Sequence, residues 1–266
     1  MDSAALHMAL AAANSNATSL YVRYTGMLGG RDKLCRLAQY FSRLMVYVLS
    51  QRQLIHGKPS GTAAATSWLA TFAKVQAAMG VTRKIMRAGK FVEFLQLLVR
   101  TLCVSGEDEV AKLLSAVHKA GMFVFMGADT LGLLAGPLAL LRLRNAPRVA
   151  RIGQRGWLVA LVSQVLLAAY RLRNFAVREG DLRRVRRQVE KAGDAMGDRE
   201  CAVEEQMVGR GKALARRQLV AAALDLTIPA KGLGLLVVNE GLVALAGTVT
   251  SCMGIQDVLA KAAASL

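Results

Sequence analysis

Residues 81–99 read VTRKIMRAGKFVEFLQLLV. Apolar residues recur in this stretch every three or four positions, at Val81, Ile85, Ala88, Val92, Leu95 and Val99. This spacing places them on one face of an α-helix, and Arg83, Arg87 and Lys90 fall nearly opposite that face. The stretch therefore predicts a cationic amphipathic helix, whose polar face weakens beyond Val92.

Two glycines weaken this helix in water. Gly80 and Gly89 each lower the helix propensity by about 1 kcal/mol relative to alanine. We therefore expect the helix to form completely only against a membrane or another surface.

Two upstream segments show the same helical spacing. The first has apolar residues at Leu34, Leu37, Phe41, Leu44 and Val48. The second, which we expect to begin near Thr66, has them at Trp68, Phe72, Val75 and Met79. Amphipathic helices are therefore expected throughout the first 110 residues.

The 266-residue chain is both basic and apolar. It has 35 Lys and Arg against 18 Asp and Glu, a net charge of +17, and 54% hydrophobic residues. The mean hydropathy of +0.34 excludes a disordered chain. Ala and Leu are more frequent than β-branched residues, which disfavours an all-β fold. Only four prolines occur, which leaves long helices largely unbroken. We expect an all-α, membrane-associated protein that meets anionic lipid as well as hydrocarbon.

Two later segments are long enough to cross a membrane. Residues 120–141 contain one ionisable side chain, Asp129, and residues 233–255 are interrupted only by Asn239 and Glu240. A hydrocarbon core requires about 20 helical residues, so both segments are candidate spans, whereas the 14-residue run 157–170 fits a packed or interfacial helix. A carboxylate at mid-membrane costs about 2.5–3.5 kcal/mol, which leaves a buried or re-entrant helix as the alternative for each segment.

These patterns divide the chain into five regions. They are a polar leader (1–28), amphipathic membrane-remodelling helices (29–110), a first hydrophobic membrane segment (111–145), a basic helical middle (146–217) and a C-terminal hydrophobic membrane segment (218–266). Four glycines between residues 190 and 212 predict a flexible linker within the basic middle. No internal repeat is expected.

The sequence contains no catalytic or metal-binding pattern. Phosphate-binding loop, zinc-protease and nucleophile-elbow motifs are absent. The cysteines and histidines are scattered, at Cys35, Cys103, Cys201, Cys252, His7, His56 and His118. We therefore expect no enzyme, no cofactor, no metal site and no disulfide framework.

Three stretches together resemble the peroxin-11 family of peroxisomal membrane proteins. Residues 30–40, GRDKLCRLAQY, are similar to the family's opening helix, in which Arg-Asp-Lys leads to Gln-Tyr. Residues 82–90, TRKIMRAGK, are similar to its basic amphipathic element. Residues 225–230, DLTIPA, followed by the Gly-containing stretch 239–251, resemble its Pro-containing entry to a hydrophobic ending.

The resemblance implies a protein of the peroxisomal membrane, or of the glycosomal membrane in an organism that has glycosomes. It implies a protein that promotes membrane elongation and fission through an amphipathic helix that binds and bends membrane. It also implies a homo-oligomer that recruits a dynamin-related fission GTPase and fission adaptors, with no small-molecule cofactor.

A helix lying in one leaflet adds area to that leaflet alone, which favours positive curvature. We expect the membrane-binding residues to comprise an apolar wedge and a basic set that attracts anionic phospholipid headgroups. The wedge consists of Val81, Ile85, Val92 and Leu95, and the basic set consists of Arg83, Lys84, Arg87 and Lys90.

Two other functions stay open on the sequence. The first is a pore for small metabolites, an activity also suggested for the family, lined by Asp129, Asn239 and Glu240. The second is a soluble nucleic-acid-binding protein that uses the basic cluster at residues 183–187. Aromatic side chains that could stack on bases are scarce near the basic clusters, so nucleic acid is not an expected partner.

Overall fold

The structure is a computed structural model that describes residues 15–55, 63–104, 108–192 and 194–265. Within these ranges the chain forms eight α-helices and no β-strand, which confirms the predicted all-α fold. The helices are α1 (Asn16–Gly26), α2 (Leu28–Ile55), α3 (Ala63–Arg87), α4 (Lys90–Cys103), α5 (Glu109–Ala135), α6 (Ala146–Ala192), α7 (Ala195–Gly232) and α8 (Glu240–Ala264). Residues 1–14 of the predicted leader lie outside the described ranges, and its later part forms α1.

The helices form two compact units. The first unit contains α1, α2, α3 and α8, drawn from residues 1–88, 133–141 and 237–266. The second contains α4, α6, α7 and most of α5, drawn from residues 89–132 and 142–236. The C-terminal helix therefore packs with the N-terminal helices, although more than a hundred residues separate them in sequence.

Small residues on α8 allow this helix to approach α2 closely. A Cβ added to Gly241 would lie 2.5 Å from Cε1 of Tyr47, and a Cβ on Gly247 would overlap the ring of Tyr40. The buried residues of α8 are mostly small, and include Gly241, Ala244, Gly247, Ser251 and Gly254. Small residues facing a neighbouring helix are typical of helices that pack within lipid.

The C-terminal candidate span begins later than the sequence predicted. Asn239 is the N-cap of α8, and its side-chain oxygen accepts the backbone N–H of Gly241 at 2.8 Å. The candidate span is therefore Glu240–Ala264 rather than residues 233–255. Glu240 lies at the positive end of the helix dipole and pairs with Arg43 at 2.5 Å. Its carboxylate is consequently at the end of the apolar helix and not in its middle.

The predicted amphipathic helix over residues 81–99 is interrupted at Gly89. Helix α3 ends at Arg87 and α4 begins at Lys90. Gly89 has φ of 80°, a left-handed conformation that glycine adopts without a steric penalty. The expectation of one continuous helix is therefore wrong, because the three-and-four spacing continues across a residue whose backbone leaves the right-handed helical conformation. Helix α3 also begins at Ala63, before the predicted start near Thr66.

Helices α6 and α7 form a long antiparallel hairpin with a seven-residue repeat. Buried residues of α7 recur at Cys201, Val208, Ala215 and Ala222. Leu161, Ala168 and Leu182 of α6 are buried at the same spacing, and between them Phe175 packs against Gly211 of α7. This is the spacing of a coiled-coil seam. Sequence analysis did not identify it, because alanine and cysteine hold several of the seam positions.

Most of the predicted flexible linker, residues 190–212, is helical. Helix α7 begins at Ala195, and the pairs Arg186–Glu205 at 2.8 Å and Lys212–Glu179 at 2.6 Å connect it to α6. The linker prediction is therefore wrong for these residues. Glycine lowers helix propensity, but the packing of the seam and the ion pairs across it outweigh that cost.

Close packing in the second unit also joins α5 to α6. A Cβ on Gly121 would lie 2.6 Å from the carbonyl oxygen of Gly156, so the two backbones can approach only because both residues are glycine. The rings of Phe125 and Trp157 stack with their centres 4.9 Å apart. These contacts place the apolar part of α6 against α5.

Three helices are long and apolar enough to cross a membrane, namely α5, α6 and α8. The sequence predicted one or two membrane segments and assigned α6 to packing or the interface, but the helix extends far beyond residues 157–170. Helix α5 ends at Ala135, before the predicted limit at residue 141. In the most apolar 18 residues of each helix, the buried share is 17% for α5, 39% for α6 and 33% for α8. Most of this apolar surface therefore faces outward.

The substitution Gly247→Val is expected to lower the stability of the first unit by about 1–3 kcal/mol, because the new side chain overlaps Tyr40. Thermal unfolding of the full chain in detergent measures this effect. Gly29→Val is the matched control, since a Cβ at Gly29 of α2 meets no atom within 4 Å. Equal unfolding temperatures for the two variants would contradict the close approach of α8 to α2.

Candidate membrane-binding surface

A buried polar network lies between α2 and α3 in the first unit. Arg83 and Asp32 form an ion pair with Nε and Oδ1 3.2 Å apart, and their side chains are only 10% and 12% exposed. Arg83 also donates from Nη1 to Oε1 of Gln39 at 2.7 Å. Burial, together with neighbouring Arg87, lowers the pKa of Arg83, but a guanidinium stays charged at neutral pH. Asp32 therefore compensates a charge that the fold keeps out of water.

The polar network extends from α2 to α8. Arg36 donates from Nη2 to the hydroxyl of Thr250 at 3.1 Å, and both side chains are buried. The Arg36 guanidinium also lies 5.5 Å from the ring centre of Tyr40, which packs on Gly247. The network thus joins α2, α3 and α8, using residues from all three stretches that resemble the peroxin-11 family.

Helix α2 buries several polar residues and exposes two of its large apolar residues. Asp32, Arg36 and Ser42 are buried, whereas Leu34 and Phe41 are 41% and 45% exposed. A helix on the surface of a water-soluble protein has the opposite arrangement. The exposed members of the predicted apolar stripe, Leu34 and Phe41, are therefore left for lipid or another protein to cover, whereas Leu37, Leu44 and Val48 are half-buried.

The eight predicted membrane-binding residues differ in where they lie and how exposed they are. Val81, Lys84, Arg87 and Lys90 are half-buried, while Ile85, Val92 and Leu95 are exposed. Arg83 is buried, which contradicts its predicted contact with lipid headgroups, because Asp32 and Gln39 hold its guanidinium inside the unit. Val81 to Arg87 belong to the first unit, and Lys90, Val92 and Leu95 belong to the second.

Helix α4 carries a continuous apolar stripe on its exposed side. Val92, Leu95, Val99 and Leu102 are 48%, 43%, 51% and 56% exposed and lie three or four residues apart. Thr101, on the opposite side, is buried and accepts a hydrogen bond from Lys119 of α5. We call the four apolar residues the α4 stripe. Leu102 was missed by the sequence analysis, although its spacing of three from Val99 continues the pattern.

Two of the three residues assigned to a pore have structural roles at the start of α8. Asn239 caps the helix and donates to the hydroxyl of Tyr47 at 2.5 Å, while Glu240 pairs with Arg43. Asp129 lies within α5. None of these observations favours a polar conduit.

Ion pairs within the hairpin partly neutralise the basic cluster at residues 183–187. Arg183 pairs with Glu179 at 2.6 Å, and Arg186 pairs with Glu205 at 2.8 Å. Lys212 and Arg183 both donate hydrogen bonds to the carboxylate of Glu179. These pairs compete with phosphate for the same guanidinium groups, which disfavours the nucleic-acid alternative.

The described ranges contain no group of three His, Cys, Asp or Glu side chains that could hold a metal ion. An open cleft of about 460 Å³ lies between α6 and α7. Glu179, Arg183, Glu205, Lys212 and Arg216 contribute charges of both signs to its wall. This mixed lining does not match a particular class of cofactor.

The substitution Asp32→Ala is expected to destabilise the first unit by about 3–5 kcal/mol, because it leaves Arg83 charged and buried without its counter-ion. The double variant Asp32→Asn with Arg83→Gln removes both charges and should recover much of the loss. Resistance of the full chain to proteolysis in detergent measures the effect. Asp181→Asn is the control, since it breaks only an exposed pair with Arg184. A double variant no more stable than Asp32→Ala would show that the buried charge is not the cause.

Comparison with known proteins identifies the family. Residues 18–259 match the family described as Peroxisomal biogenesis factor 11 (PEX11). The chain is 23% identical over 246 residues to Peroxisomal membrane protein PMP30A of Candida boidinii. It is 22% identical over 251 residues to Peroxisomal membrane protein PMP30B of the same organism. Each alignment covers 89% of this chain and 92% of the relative, and no solved structure matches the chain.

The matched region includes α2, α3 and all but the last turn of α8, the helices that contribute to the buried polar network, as well as the α4 stripe. It also includes all three stretches on which the resemblance was based, so the comparison confirms that resemblance. The chain belongs to the peroxisomal biogenesis factor 11 family.

Proposed function

We propose that this protein elongates the peroxisomal membrane by inserting the α4 stripe into one leaflet. As a member of a family of peroxisomal biogenesis factors, it is a peroxisomal membrane protein that acts in peroxisome proliferation. The observation that carries the proposed mechanism is the apolar stripe on α4, which no part of the second unit covers among the described residues.

Apolar burial provides most of the binding free energy of the α4 stripe. Complete burial of a large apolar side chain contributes about 1.5–3 kcal/mol, so four half-exposed side chains contribute about 4 kcal/mol together. Lys90 and Arg100 on the same helix each add about 1 kcal/mol near an anionic surface, and Glu93 opposes them. Salt should therefore weaken binding without abolishing it.

Insertion of the α4 stripe into one leaflet produces curvature. Its apolar side chains would lie about 5–10 Å below the headgroups and add area on that side only. The candidate spans α5, α6 and α8 would keep the helix at the membrane, so that insertion does not depend on its affinity alone. Self-association would then concentrate many wedges in one patch, and the fission GTPase and its adaptors would act on the resulting tubule.

The double substitution Leu95→Glu with Val99→Glu is expected to abolish tubulation of anionic proteoliposomes by the full chain. Each carboxylate would have to enter the apolar region or keep the helix out of it. Electron microscopy of the vesicles measures the number and length of tubules.

The control for this experiment is the double variant Gln96→Glu with Arg100→Gln. It changes the net charge of α4 by the same amount but leaves the α4 stripe intact, and both positions are exposed. We expect it to keep most of the tubulation at moderate salt. Equal losses in the two variants would mean that charge, and not the apolar wedge, drives bending.

A further inference from the structure

Helix α7 carries a second face with a seven-residue repeat, beside the seam that packs on α6. Met196, Val203, Met207 and Leu214 are 70%, 58%, 60% and 56% exposed. An α-helix turns 100° per residue, so these four side chains lie within roughly 40° of one another around the helix axis. Their centre lies roughly 110° around the axis from the seam. We call these four residues the outer face of α7. Four large apolar side chains at coiled-coil spacing on a charged helix indicate a surface that packs against another helix.

Two oppositely charged residues lie within the same outer repeat. Glu200, Met207 and Leu214 are seven residues apart, as are Met196, Val203 and Arg210. The ion pairs that close the hairpin use Glu204 and Glu205 instead, and both Glu200 and Arg210 are exposed.

The outer repeat is complementary to itself when reversed. Turning α7 end for end about residue 205 places Met196 opposite Leu214 and Val203 opposite Met207. The same register places Glu200 opposite Arg210. Apolar side chains meet apolar side chains, and the two charges of the repeat between residues 196 and 214 meet as an ion pair.

We propose that the outer face of α7 binds the same face of a second copy of this chain, antiparallel and in register about residue 205. A two-fold axis through residue 205 repeats every pairing twice, as in an isologous dimer. Two α6–α7 hairpins joined in this way form a four-helix bundle. The inference rests on the proposed function in one respect, since it specifies the surface for the self-association named there.

Charge distinguishes a second copy from lipid as the occupant. Glu200 lies between Met196 and Val203 along the outer face, about 40° around the helix axis from its centre. The apolar region of a leaflet supplies no cation, so insertion of this face would bury an uncompensated carboxylate. In the dimer the guanidinium of Arg210 from the second copy supplies that cation.

Disulfide cross-linking tests the direction and register of the dimer. The four native cysteines are replaced by alanine, and two differently tagged full chains, carrying Met196→Cys and Leu214→Cys, are reconstituted together and oxidised. We expect a mixed disulfide between the two tags. Like residues would be about 27 Å apart, since 18 residues of helix rise about 1.5 Å each, so disulfides between identical chains should be absent.

Charge reversal tests the ion pair. Glu200→Arg and Arg210→Glu, each alone, should weaken dimerisation at least about tenfold, because they place like charges opposite each other. The double reversal restores opposite charges in the same register and should restore the dimer. Arg184→Glu, at an exposed position on α6, is the matched control and should leave dimerisation unchanged.

Each result decides between the proposed dimer and its alternatives. Disulfides between identical chains would show a parallel arrangement, no disulfide would exclude this face, and failure of the double reversal would exclude the register. Variants of the α4 stripe should still form the mixed disulfide. Retained tubulation by these α4 variants would therefore refute the proposed function alone, and loss of their tubulation without any mixed disulfide in the parent chain would refute only the dimer.

Discussion

Arg83 carries a permanent charge that the first unit keeps away from water, and its ion pair with Asp32 is the interaction on which that unit depends. A buried guanidinium without a counter-ion costs several kcal/mol. Helix α2 must therefore be rotated about its own axis so that Asp32 faces Arg83 of α3. That rotation directs Gln39 and Arg36 inward as well. The packing of α8 then follows, because its small residues and Thr250 fit the surface that α2 presents.

Orienting the polar face of α2 inward leaves its apolar face outside. Leu34 and Phe41 on α2, and Leu242 and Leu245 on α8, are exposed while charged side chains are buried. This arrangement would be unfavourable in water and is favourable in lipid, where large apolar side chains need no protein partner. The buried polar network and the outward apolar surface are therefore two consequences of one orientation.

The second unit combines two kinds of packing along one hairpin. Near α5, glycines such as Gly121 and Gly156 allow backbone approach between apolar helices. Farther along, the seam around Val208 and ion pairs such as Lys212–Glu179 join helices that are otherwise charged. The first kind suits a helix within a membrane and the second suits water. One continuous α6 can thus combine a candidate span with a region that forms contacts outside it.

The helical fold, the membrane association and the family follow from sequence patterns, because periodicity, long apolar runs and short motifs are local properties of the chain. Even Leu102 continues the spacing that predicts the α4 stripe. The break at Gly89 and the helix through Gly211 could not be predicted in this way, since glycine is compatible with both a break and a close contact. Tertiary structure alone decided that Arg83 is buried and Ile85 exposed, only two residues apart. The reason is physical: the environment of a charge depends on its counter-ion, and Asp32 is distant in sequence and adjacent only in the folded chain.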